Sequence, residues 1–276
     1  MQSRRPTRAR GQNLLIDPAV PRRIITASKL PIDSTVLEIG AGTGILTVEL
    51  ARVVRSLVAV EIEHALAERL KRAVSRFSNV RIIRADARRI NVEEIMEGCE
   101  YHVVSNLPYS VGTPLTIDLL QNTYRPLSLT LMLQLEVAER LCALPGSMSL
   151  LSVITQSYAE AELLFAVEPE SFHPRPKVRS GVVRLVSNTV PREDILTKTA
   201  IFLARHAFAG RRKKLQNSLA AGLQLSTKEV AELCETAGFD PGSRPQEMSL
   251  DQWQSLGAVV LDKGIVGLPA ASVAGS

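Results

Sequence analysis

The sequence predicts an α/β chain: a doubly wound parallel sheet followed by a small all-helical domain. Three observations carry this. Short apolar runs alternate with longer amphipathic stretches over the first half of the chain. A Gly-x-Gly-x-Gly turn (Gly40, Gly42, Gly44) joins the first such run to the helical stretch behind it. After Asn188 the alternation stops, and the chain turns helical and basic.

In order, "TVLEI" (35–39), "LVAVE" (57–61), "VRIIR" (80–84), "YHVVS" (101–105) and "LTLMLQ" (129–134) read as strands. "ILTVELARVV" and "HALAERLKRAVSRF" between them carry helical spacing, with charges on one face. Strands separated by helices must run parallel through crossovers, which gives a doubly wound, Rossmann-like sheet. "AELLFAV" (161–167) and "GVVRLV" (181–186) extend it as antiparallel strands. Beyond residue 190, "REDILTKTAIFLARHAFAGRRKKLQNSLAAGL", "STKEVAELCETAGF" and "SLDQWQSLGAVVL" are helical. The expected divisions are a flexible basic arm over 1–10, the sheet domain over 11–189, a helical domain over 190–264 and a disordered tail over 265–276.

Composition narrows the function. The 276 residues are 45% hydrophobic, enough for a sizeable core. No apolar run approaches the ~18 residues of a membrane span. The Arg-rich start, MQSRRPTRAR, lacks the apolar segment of a secretory signal. Cys99, Cys142 and Cys234 are odd in number and widely spaced, which suggests neither a disulfide framework nor a metal site and fits a cytoplasmic protein. The net charge of +5 is uneven: 171–214 holds eleven Lys/Arg against two acids. A basic block beside an acid-leaning body suits a polyanion partner or a solvated charged face, and charge alone does not separate these.

The glycine turn departs from the dinucleotide fingerprint, because position 45 is Ile rather than part of a G-x-x-G. Glu61 ends the second strand, where an acid binds ribose hydroxyls, and Asp86 ends the third, where a carboxylate accepts from an exocyclic amine. Each acid alone is as well explained as a loop residue or helix cap. Three successive strand ends bearing Gly-x-Gly, Glu and Asp describe a nucleoside site, and the nucleoside cofactor without a pyrophosphate is S-adenosylmethionine. At the fourth strand end stand Asn106, Leu107, Pro108 and Tyr109. The stretch on its own is a turn. Beside a methyl donor it is a device for an aromatic amine: the Asn106 amide and the Leu107 carbonyl accept the two N–H bonds, Pro108 holds Leu107 extended, and Tyr109 offers a stacking face.

With these residues in view, the chain resembles the small-subunit rRNA adenine dimethyltransferases. "GQNLLID" (11–17), "LEIGAGTG", "SNLPYSVGTPL", "MLQLEVAERL", "FHPRPKVRSGVVRL", "AFAGRRKKLQNSL" and "AGFDPGSRPQEMSLDQW" follow the family's motifs in family order. The resemblance implies an S-adenosylmethionine-dependent methyltransferase domain and a helical RNA-binding domain. Cofactor contacts fall on Asn13, Leu15, Gly40, Gly42, Gly44, Glu61, Ile62, Asp86, Ala87 and Asn106. Catalysis falls on Asn106 to Tyr109, with Phe172 as a second aromatic wall for a flipped base. Arg175, Lys177, Arg211, Arg212, Lys213 and Lys214 are the expected RNA contacts, and a monomer working on the assembling small subunit is expected. Two places depart from the pattern: Leu135 stands where the family has Lys, and the segment after "PGS" lacks a Tyr-Gly-Arg. Large-subunit enzymes of macrolide resistance typically have Ile at the position of Leu107. A non-catalytic assembly or transcription factor is the remaining alternative.

Overall fold

The computed structural model describes residues 13–189, 194–210 and 213–265. The basic arm, Arg211, Arg212 and all but the first residue of the expected tail lie outside the described residues. The chain divides into two compact units, one built from residues up to 139 with 160–187, the other from 140–159 with the residues after 187.

In chain order the first part holds β1 (Leu14–Leu15), α1 (Ala19–Ser28), β2 (Thr35–Ile39), α2 (Ile45–Ala51), β3 (Ser56–Glu61), α3 (His64–Ala73), β4 (Val80–Arg84) and α4 (Val92–Ile95). There follow β5 (His102–Asn106), α5 (Gly112–Gln121), β6 (Ser128–Gln134), α6 (Leu135–Leu141), α7 (Leu150–Tyr158), β7 (Ala159–Val167), β8 (Phe172–His173) and β9 (Ser180–Ser187). The main sheet has the order β4-β3-β2-β5-β6-β9-β7. Its β4, β3, β2, β5 and β6 are parallel neighbours, and β9 runs antiparallel to β6. Strand β2 is buried at every position, as a central parallel strand covered on both faces must be.

The order places a topological switch between β2 and β5. From β2 the chain winds outward through β3 to β4, then returns to β5 on the other flank. These two strands pair only over Val36↔His102 and Leu37↔Val103. Beyond that point the Ile39 N–H donates to the Ser105 hydroxyl at 2.9 Å instead of to backbone. A crevice outside the carboxyl ends of such strands is where doubly wound sheets take their ligands.

The second unit contains α7, α8 (Ile195–Ala209), α9 (Leu215–Leu223), α10 (Thr227–Thr236) and α11 (Leu250–Asp262). Val153, Leu203, Leu215, Leu219, Leu233 and Trp253 share its core. Asp194, Ser226 and Ser249 cap α8, α10 and α11. The long basic helical stretch of the sequence is two helices, because α8 stops at Gly210 and α9 starts after Lys214. The segment 140–159, which the sequence reading gives to the sheet domain, packs with the helices: α7 places Val153 in their core. The "MSLLSV" segment that departs from the family pattern forms the start of α7, where Ser149 and Ser152 make a reciprocal capping box.

Candidate active site

One cavity opens at the β2–β5 switch. It is lined by Asn13, Leu14 and Leu15, by Glu38 and the Gly40–Thr43 turn, by Ile45 and Leu46, by Glu61, by Asn106 to Tyr109, and by Phe172. The glycine turn is shaped by its neighbours. Gly40 has φ +74, and a Cβ there would stand 3.3 Å from the Pro108 ring. The turn after β2 and the proline after β5 are therefore packed face to face, closer than a side chain allows.

Glu61 reaches the turn from the end of β3. Its carboxylate is 2% exposed and accepts from the Gly42 N–H and the Glu63 N–H, both at 2.8 Å. Two backbone donors fix the carboxylate before any ligand arrives.

Asn106 ends β5 and Leu107 is buried, its N–H donating to the Met132 carbonyl at 3.2 Å. The Pro108 carbonyl accepts from Val111 and Gly112 N–H at 3.0 Å and so starts α5. The Tyr109 hydroxyl lies 2.7 Å from the Ser180 hydroxyl on β9, which fixes the ring. Burial raises the phenol's pKa, with the Ser180 hydrogen bond opposing. Phe172 arrives from far along the chain: β8 pairs antiparallel with β1, setting Leu15 opposite Phe172 and Leu14 opposite His173. Phe172 is 3% exposed and packs with Leu15, Val20 and Met132, so only its edge borders the cavity.

Four expected cofactor residues do not line this cavity. Gly44, with φ +90, is a packing glycine, since a Cβ there would meet Leu70 of α3 at 2.8 Å. Ile62 is 38% exposed, one residue outside Glu61. Asp86 and Ala87 sit past the end of β4. The Asp86 carboxylate accepts from the Arg88 Nε at 3.0 Å and Nη2 at 2.6 Å, and that hydrogen-bonded pairing holds its pKa down to about 2.

The sequence reading missed Glu38. It is 2% exposed, lines the cavity, and its Oε2 has no hydrogen-bond partner. Burial pushes its pKa up to about 8; the nearby Thr47 hydroxyl, outside hydrogen-bond geometry, opposes this, and the Glu61 charge adds to it. The signal was present as the one acid within "TVLEI".

Two buried acids and no Lys, Arg or His line the cavity among the described residues. Such a lining repels a pyrophosphate and suits a ligand that carries positive charge. The ribose-sized acid, the close-packed turn and this charge pattern fit S-adenosylmethionine, whose sulfonium and ammonium groups are cationic.

Residues 5–256 match the family described as ribosomal RNA adenine dimethylase. The chain belongs to that family. A "Ribosomal RNA small subunit methyltransferase A" of Methylococcus capsulatus is 39% identical over 91% of this chain and 96% of its own. One of the same name from Clostridium perfringens is 38% identical over 89% of this chain and 87% of its own. Among solved structures, the 23S rRNA methyltransferase ErmE superposes with a TM-score of 0.74 at 27% identity, over 90% of this chain and 99% of that one. A dimethyladenosine transferase from Plasmodium falciparum gives 0.78 at 23% identity, over 91% and 98%, which speaks for the fold.

In this adenine dimethylase the expected RNA contacts fall in both units. Arg175 and Lys177 are exposed on the segment between β8 and β9, with Arg175 paired to Glu170. Lys213 and Lys214 are exposed just before α9. Leu135, in place of the family's Lys, begins α6 and packs against Gly181. No helix among the described residues is long and apolar enough to cross a membrane, and no cluster of His, Cys, Asp or Glu among them could hold a metal ion.

Proposed function

We infer that this protein uses S-adenosylmethionine to dimethylate N6 of two adjacent adenosines near the 3′ end of small-subunit rRNA, acting as a cytoplasmic monomer on the assembling subunit. The observation that carries this is the packing of the Gly40 turn against Pro108 at the switch, which brings a nucleoside site and an amine-holding stretch into one cavity.

The cofactor supplies an electrophilic methyl group. The adenine N6 lone pair is delocalised into the ring and must be turned toward that methyl. The Asn106 amide oxygen accepts one N6–H, and the Leu107 carbonyl accepts the other. Pro108 keeps Leu107 extended, so that this carbonyl stays aimed. Tyr109, held by Ser180, stacks on the base, and Phe172 closes the far side with its edge. The oxygens of Asn106 and Leu107 stabilise the positive charge that grows on N6. No general base is needed, because the methylated ammonium loses its proton to water. After the first transfer one N6–H remains for the same acceptors, and the small residues Ser110 and Gly112 leave room for the methyl.

The test is methylation of small and large subunits from a strain lacking this enzyme, with labelled cofactor and mass spectrometry of the digested RNA. Dimethyladenosine in small-subunit RNA is expected. Activity confined to large-subunit RNA would move the protein to the class of ErmE, whose fold it shares. Monomethyladenosine as the sole end point would reject the pocket argument.

A further inference from the structure

Glu38 has no part in the chemistry above, yet it is the least satisfied group in the cavity. It stands on β2 two residues before Gly40, fully enclosed, with Oε2 unpartnered. An ionised carboxylate left so would cost several kcal/mol, on the order of the penalty for any unpaired buried charge. The empty protein therefore keeps it as a neutral acid, in line with a pKa raised to about 8 by burial.

The groups that face it are few. From β3 comes the Glu61 carboxylate, and from the stretch after β5 comes Tyr109, the only other titratable side chain on the cavity wall. Helix α2 presents Thr47, whose hydroxyl is also unpartnered. Strand β1 contributes Asn13, Leu14 and Leu15, which bring no charge. Glu61 already has two N–H donors, so the missing donor at Glu38 is not supplied by the protein. It must come with the ligand. Of the cofactor's two positive centres, the sulfonium has no N–H to give, whereas the ammonium of the amino acid end has three.

We propose that Glu38 is the counter-ion of the cofactor's α-ammonium group and that binding expels the Glu38 proton to solvent. The inference rests on the S-adenosylmethionine reading of the site. The O–H bond of the Glu38 carboxyl breaks, the proton goes to buffer, and the resulting carboxylate accepts from the ammonium. Affinity then rises about tenfold per pH unit between pH 6 and pH 7, where one proton leaves per ligand bound.

The test is calorimetry at pH 7 in two buffers of different ionisation enthalpy, which counts protons released on binding. The probes are S-adenosylhomocysteine, which keeps the ammonium but not the sulfonium, and methylthioadenosine, which lacks the amino acid end. S-Adenosylhomocysteine should release about one proton from the wild type and none from Glu38→Gln. Methylthioadenosine should release none from either. Equal release by both ligands from the wild type overturns the proposal without any variant, as does equal release from wild type and Glu38→Gln. Failure of the wild type to bind S-adenosylmethionine or either probe would remove the cofactor reading itself, and this inference with it.

Discussion

The two acids that end neighbouring strands, Glu61 on β3 and Asp86 past β4, look alike in sequence and differ in the fold. Glu61 is buried and held by two backbone N–H groups at the switch between β2 and β5. Asp86 is partly exposed at the outer rim and is held by Arg88, whose side chain is 61% exposed. The first acid is organised before a ligand arrives; the second must exchange one partner for another in contact with water. Position relative to the switch, rather than residue type, decides how much an acid contributes to binding.

The largest effect should come from the centre of the switch. Asn106→Ala removes an acceptor that acts on the reacting amine, so single-turnover methylation should fall by about 10²–10³ while RNA affinity stays near wild type. Turnover within a few-fold of wild type would take Asn106 out of the chemistry. Next, Glu61→Ala should weaken S-adenosylhomocysteine binding by about 1.5–3 kcal/mol, the usual worth of charge-assisted hydrogen bonds, as read by calorimetry. An unchanged affinity in a folded variant would erase the contrast with Asp86.

The third expectation concerns stability without ligand. Glu38 has its folded-state pKa raised from 4.5 to about 8 by burial, so between these values the folded chain holds a proton that the unfolded chain has lost. Stability from this group is fully present below about pH 4.5 and is lost as pH rises toward 8. Glu38→Gln should raise the melting temperature of the ligand-free protein at pH 8 and leave it little changed near pH 4.5. A variant melting below wild type at pH 8 would show that Glu38 is satisfied in solution. The smallest effect belongs to the rim. Asp86→Asn should weaken cofactor binding by only about 0.2–1 kcal/mol, since an exposed carboxylate trades Arg88 for an amine at little net gain. A loss equal to that of Glu61→Ala would mean that the rim is organised too.

How much of this was legible in the sequence follows the range of the interactions. The five parallel strands were legible because each is a local apolar run, and four of the cavity's landmarks fell at their carboxyl ends. Strand β1 was not, because two residues carry no pattern; only pairing with β8, more than 150 residues away, makes it a strand. That pairing brings Asn13, Leu15 and Phe172 to the cavity, which resemblance supplied and periodicity could not. Gly44 looked like part of the ligand loop, but its glycine serves the packing of α2 on α3. Glu38 was hidden as one letter in an apolar strand, where an alternating pattern gives no reason to single it out. Helix α7 is buried around most of its circumference, so it lacks the amphipathic signal that marks the helices after residue 194.

A structure of the protein with S-adenosylhomocysteine bound tests the central claim most directly, because that claim is a position. The ribose hydroxyls should lie about 2.7–3.2 Å from the Glu61 carboxylate, with the sulfur turned toward Asn106 across the Gly40–Pro108 contact. A ligand seated away from the β2–β5 switch, or one whose sulfur faces away from Asn106, would contradict the account.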